Sequence, residues 1–356
     1  MPASPTMRRL PLLAAGGVSL IAGMIAGEGR LGWPVGSGDL MAAHGPLMVC
    51  GFFGTVIGLE RAVALGKPWG YMAPAATALG GIALMAGFFQ AGALAQSLGS
   101  LVFVLMSLAV LVRQREVFTA VLSLGGACWL IGNLLWLAGA PPSEVVPLWA
   151  GFLVLTIAGE RLELSRFLPP WRWRTPTLLP VLALLLAGCG TAAAGMAAAW
   201  TLFGLGLVLL TLWCLRNDVV RRTIRQPGLT RYVAVCLLSG YGWAAVSGLL
   251  MLGLGLGEGG PRADAALHSL FVGFVFAMVF GHAPVILPAV LRVAVPYRPW
   301  FYGPLILLHA SLILRLAGDL ADLHAVRQWG GLANAAAIVV FILTMLATVI
   351  RARKPG

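Results

Sequence analysis

The chain has 356 residues, of which 60% are apolar and only 10% charged, with a mean hydropathy of +0.92 and a formal net charge of +12. A soluble domain carries about a quarter charged residues, so this composition excludes a water-solvated globular enzyme and leaves no separate soluble domain of useful size. The positive charge is not a nucleic-acid footprint, because the basic residues sit in short connections beside apolar runs, where they set orientation in a bilayer.

Taken in chain order, the apolar runs predict spans near 10–27, 42–65, 70–90, 94–112, 117–139, 146–167, 176–195, 198–215, 230–256, 264–290, 300–319 and 328–350. Each is one membrane crossing of about 20 residues followed by a short connection. Arg8 and Arg9 ahead of the first run mimic a secretory signal, but the segment is read as an uncleaved first span. With the N-terminus inside, only Arg30, Arg262, Arg315 and Arg327 of the 24 Lys and Arg fall on the outer side, leaving 20 on the cytoplasmic side. A missed or invented span would scramble every later connection, so the asymmetry supports both the span count and the orientation. The expectation is therefore an all-α polytopic membrane protein of about twelve helices, one transmembrane domain over 1–356, with both termini in the cytoplasm and the lipid bilayer as its main partner.

The outer connections 32–39, 140–145 and 257–264 are short and rich in Gly and Pro. Trp69, Tyr71, Trp171, Trp173, Trp300 and Tyr302 sit beside inner-face basic residues as an aromatic belt. All five cysteines fall inside apolar segments and none forms a CxxC pair, so no disulfide framework is expected.

Three even-numbered spans share a pattern: GFFGTVIGLER from Gly51, GFLVLTIAGER from Gly151 and GFVFAMVFGHA from Gly273. In each, a polar residue follows the Gly by nine positions, at Glu60, Glu160 and His282. The spacing suggests three four-helix units about a pseudo-three-fold axis. Ionisable residues inside a membrane are costly and are functional candidates. Glu60, Arg61, Glu160, Arg161 and His282 are accordingly candidates either for inner-interface ion pairs, Glu60 meeting Arg161 across helices, or for a proton or metal site.

The chain has five histidines. His44 precedes Pro46, which is suited to open a helix. His268 lies one turn into the tenth span, also entered from outside, so the two share a depth near the outer face. His282 is about 21 Å further along the axis, His309 is mid-span, and His324 is in an outer connection. Two imidazoles at one depth on different helices suit bis-histidine haem ligation. His44, His268, His282 and His309 are the candidate metal-contacting residues.

The stretch MAAHGPLMVCGFFGTVIG resembles the second span of the NnrS family, AALHSLFVGFVFAMVFGHA resembles its late Ala-Leu-His span, and LLSGYGWAAVSGLLMLGLG its Gly-Tyr-x-Trp helix. That family comprises twelve-span bacterial inner-membrane proteins described as containing haem and copper and associated with nitric oxide and denitrification. It is distantly similar to haem–copper oxidase subunit I, whose spans 2 and 10 hold haem ligands near the outer face. The resemblance implies haem of the b type on His44 and His268, copper as a second metal, nitric oxide or a respiratory electron donor as partner, and an inner-membrane location. The chain has neither an adjacent His-His pair nor a His-x-His, so a three-histidine copper site for oxidase turnover is not expected. Electron transfer, gas sensing or binding, and metal handling stay open. So do a proton-coupled transporter using Glu60, Glu160 and His282, and a scaffold for a respiratory complex.

Overall fold

A computed structural model describes residues 5–254 and 259–353. Lys354, the side chains of Arg8 and Arg353, and part of the outer connection 257–264 lie outside the described residues. The long helices are α1 (Pro5–Arg30), α2 (His44–Leu65), α3 (Met72–Met85), α4 (Phe89–Arg113), α5 (Val117–Leu137) and α6 (Pro142–Ser165). They continue as α7 (Arg174–Ala193), α8 (Ala199–Asn217), α9 (Gly228–Leu254), α10 (Gly260–Leu291), α11 (Tyr302–Leu320) and α12 (His324–Arg353). No strand occurs among the described residues. The protein is an all-α, multi-pass membrane protein, because only helices that satisfy their own backbone hydrogen bonds can carry such apolar runs through lipid.

Among the described residues, eleven helices are long and apolar enough to cross a membrane. The expected span at 70–90 is the short one: α3 has 14 residues, preceded by a 3-10 turn, Pro68–Tyr71. Together they supply about 21 Å of α-helix and about 8 Å of 3-10 helix, close to the thickness of a hydrocarbon core. Local chemistry sets several ends. Ser37 accepts from the Leu40 N–H to start the short helix Gly38–Ala42. Glu116 and Thr119 form a reciprocal capping box on α5. Gly66, at φ 66°, closes α2 in the left-handed conformation that glycine adopts without strain. In α10 the helix runs on through Pro284 and Pro288 to Leu291 rather than breaking after His282.

The chain divides into two compact units, with the boundary inside α6. The first holds the chain up to Phe152 plus Val290–Arg292, and the second holds the remainder. This division does not follow the three four-span units suggested by the repeat. In lipid, helices gain little from burying apolar surface against each other, so close backbone approach at small residues carries much of the association. In the second unit, a Cβ on Gly204 would lie 2.8 Å from the Gly248 carbonyl oxygen, and one on Gly248 would lie 2.7 Å from that of Gly204, so α8 and α9 meet glycine to glycine. In α11, Leu305, Leu308, Leu312 and Leu316 face inward, whereas Ile306 and Ile313 are more than half exposed, as a lipid-facing stripe should be. The aromatic belt is paired: Arg9 Nε donates to the Tyr71 hydroxyl at 3.1 Å, and the Arg216 guanidinium lies 4.8 Å from the Trp171 ring centre.

Two spans carry a wider, π-helical turn. It covers Leu47–Gly54 in α2 and Ser269–Phe276 in α10, eight residues each. Glycine is fifth and phenylalanine sixth in both, and seven of the eight residues in each are buried. These are the Gly-Phe pairs of the sequence repeat, so spans 2 and 10 share a conformation as well as a pattern. The matching segment of span 6, around Gly151-Phe152, is regular α-helix. Long π-helical runs are rare and concentrate at functional sites.

Candidate functional site

In the first unit, His44 stands just ahead of the π-helical turn. Its Nδ1 lies 2.7 Å from the Gly23 carbonyl oxygen of α1. A carbonyl only accepts, so Nδ1 carries the hydrogen. Gly27, one turn further along α1, makes room for the ring: a Cβ there would lie 2.8 Å from His44 Cε1. The slot exists because α1 is glycine-bearing on this face.

In the second unit, His268 immediately precedes the other π-helical turn. Its Nδ1 lies 2.9 Å from the Asp264 carbonyl oxygen and 3.2 Å from Asp264 Oδ1. The same logic puts the hydrogen on Nδ1. Asp264 Oδ2 accepts from Arg315 at 2.8 Å, and Arg327 Nε lies 3.1 Å from Asp319 Oδ1. Asp264, Arg315, Asp319 and Arg327 thus compensate one another at the start of α10, the end of α11 and the start of α12. A metal-ligating imidazole is commonly oriented by donating its other N–H to a carbonyl or carboxylate. Both rings have that donor chemistry, so they fit haem iron as ligands.

The other two candidate histidines are engaged differently. The Trp243 indole N–H donates to His309 Nδ1 at 2.9 Å, which leaves the hydrogen on Nε2, 2.9 Å from Ser239 Oγ. His282 Nε2 lies 3.0 Å from an Arg161 terminal nitrogen, and its Nδ1 lies 2.6 Å from the Met278 carbonyl oxygen. Guanidinium only donates, so Nε2 accepts and Nδ1–H donates. Both nitrogens of His282 and of His309 are therefore committed to protein partners. Among the described residues, no group of three or more His, Cys, Asp or Glu side chains could hold a metal ion.

Arg161 is 3% exposed and also lies 3.9 Å from Asp218 Oδ2, whose side chain is fully buried. Asp218 accepts from the Tyr241 hydroxyl and, at 2.9 Å, from the Val220 N–H. Glu160 and Glu60 are half-buried on α6 and α2, as is Arg61. Glu60 belongs to the first unit and Arg161 to the second. Sequence patterning missed Asp218 and Tyr241, since an acidic residue in a connection and a tyrosine in an apolar run carry no periodic signal.

The first unit has its own buried polar hub. Asn133 Oδ1 accepts from the Trp149 indole N–H at 2.9 Å and from the Cys50 thiol at 3.2 Å. Its Nδ2 donates to the Gln96 carbonyl and the Ser100 hydroxyl, both at 3.1 Å. All five cysteines are buried and unbridged.

No curated protein matches this sequence. The domain of unknown function family DUF8744 matches residues 9–350, nearly the whole chain, and the protein belongs to that family.

Proposed function

We propose that this multi-pass membrane protein binds haem through His44 and His268 and serves nitric oxide response or respiratory electron transfer in a bacterial inner membrane. The observation that carries the proposal is the similar hydrogen bonding of the two rings beside the π-helical turns. His44 lies three residues before the turn in α2 and His268 directly before the turn in α10, and each donates Nδ1–H to a main-chain carbonyl, at 2.7 Å for His44 and 2.9 Å for His268. Haem iron held by two imidazoles would supply one-electron exchange. Asp264, itself paired with Arg315, holds the His268 ring, and the Gly23 carbonyl holds the His44 ring.

The test is a reduced-minus-oxidised absorption spectrum with iron and copper analysis on protein expressed with ample haem. A Soret band is expected, lost in His44→Ala and in His268→Ala. Colourless, iron-free wild-type protein would refute the proposal. Copper bound in proportion to protein would add a second metal to it.

A further inference from the structure

The geometry points to a proton-binding site at His282, in which Arg161 changes partner when the proton arrives. This is independent of haem. As arranged, Arg161 is under-satisfied. One terminal nitrogen donates to His282 Nε2 at 3.0 Å, the other is 3.9 Å from Asp218 Oδ2, and the buried Nε has no acceptor. A buried guanidinium beside a buried carboxylate ordinarily closes to about 2.8 Å. Here one terminal nitrogen is instead spent on a neutral nitrogen lone pair, which holds only while His282 is uncharged. Nδ1–H is already committed to the Met278 carbonyl at 2.6 Å, so Nε2 is where His282 accepts a proton.

The step balances without a redox partner. A proton from water bonds to the Nε2 lone pair, and the imidazole becomes imidazolium. The N–H···N bond from Arg161 breaks, because both atoms are now donors. The guanidinium moves onto Asp218 Oδ2, forming an N–H···O bond in place of the 3.9 Å gap. Asp218 is held ready by the Tyr241 hydroxyl and the Val220 N–H, which position the carboxylate without neutralising it. The charged groups acting on the ring are Arg161 and Glu160 from α6 and Asp218 after the end of α8; Tyr241 and Cys214 act on Arg161, and Cys236 of α9 packs against the neighbouring Gly281. Two residues before His282 on α10, Phe280 stacks on Phe341 of α12 with ring centres 3.8 Å apart. Glu160 is the nearby negative charge that offsets the added proton.

Solid-state NMR on the full chain in lipid vesicles, labelled with 15N and 13C in His, Arg and Asp, tests this. The His282 ring is assigned by its contact with the Arg161 guanidinium. Between about pH 8 and about pH 5 the unprotonated Nε2 signal should give way to imidazolium. In step, a guanidinium-to-carboxylate contact between Arg161 and Asp218 should strengthen. In Asp218→Asn the imidazolium-to-imidazole ratio at the acid end should fall about tenfold, the equivalent of about 1.4 kcal/mol. A ring that stays neutral over the whole range overturns the proposal, as does a ring that protonates while Arg161 stays no closer to Asp218. The wild-type titration needs no variant to fold.

Discussion

Gly27→Ala separates the proposed ligand geometry from general packing. A Cβ at Gly27 would lie 2.8 Å from His44 Cε1 and 3.0 Å from Nδ1. Carbon atoms sit comfortably at about 3.5–4.0 Å, so the ring must retreat by about 1 Å. The ring is tethered by its 2.7 Å hydrogen bond to Gly23, and that retreat stretches the bond beyond useful length. The loss of the bond costs about 1 kcal/mol and the crowding about 1–3 kcal/mol. Replacing a helical glycine returns about 1 kcal/mol, so the net loss is about 1–3 kcal/mol. Gly17→Ala on the same helix is the control, because a Cβ there meets nothing within 4 Å. Thermal unfolding in detergent should therefore place Gly27→Ala below wild type and Gly17→Ala at or above it. If haem binds at His44, the Soret band of Gly27→Ala should also weaken or shift. Equal melting of the two variants, with identical spectra, would refute the reasoning.

Two further substitutions probe the elements that frame the site. Gly318 and Gly330 seat the α11–α12 hairpin reciprocally, each against the backbone of an arginine on the other helix, Arg327 and Arg315 respectively. Gly330→Ala puts a methyl 2.5 Å from the Arg315 main-chain nitrogen and should cost about 1–3 kcal/mol, whereas Gly303→Ala, facing open space, should melt at or above wild type in the same assay. Asn133→Leu strands the Trp149 indole N–H and should destabilise by about 1–3 kcal/mol, with a change in tryptophan emission; unchanged emission and stability would show that the hub is not the anchor of the first unit.

Much of the architecture was legible without coordinates. The predicted second span, 42–65, is α2 at His44–Leu65, and the predicted ninth, 230–256, is α9 at Gly228–Leu254. Hydrocarbon imposes its demand residue by residue, so a running sum of hydropathy finds the crossings. The expected third span, 70–90, is not among the eleven long apolar helices, since a 3-10 turn takes up part of its length. The site was legible only in part. His44 and His268 were singled out, yet nothing in their spacing could assign tautomers, which follow from the Gly23 and Asp264 carbonyls. Arg161 was singled out, but not its pairing with His282, 121 residues away, or with the connection residue Asp218.

The sequence by itself determined that the chain crosses a membrane many times as helices, because apolar length is a local property that lipid reads directly. The tertiary structure decided which polar residues met inside that frame: Arg161 with His282 and Asp218, Asp264 with Arg315, Asn133 with Trp149. It also decided that two Gly-Phe spans widen into π-helical turns while a third does not. Each outcome depends on the side chain supplied by a neighbouring helix dozens of residues away, and no window along the chain contains that information.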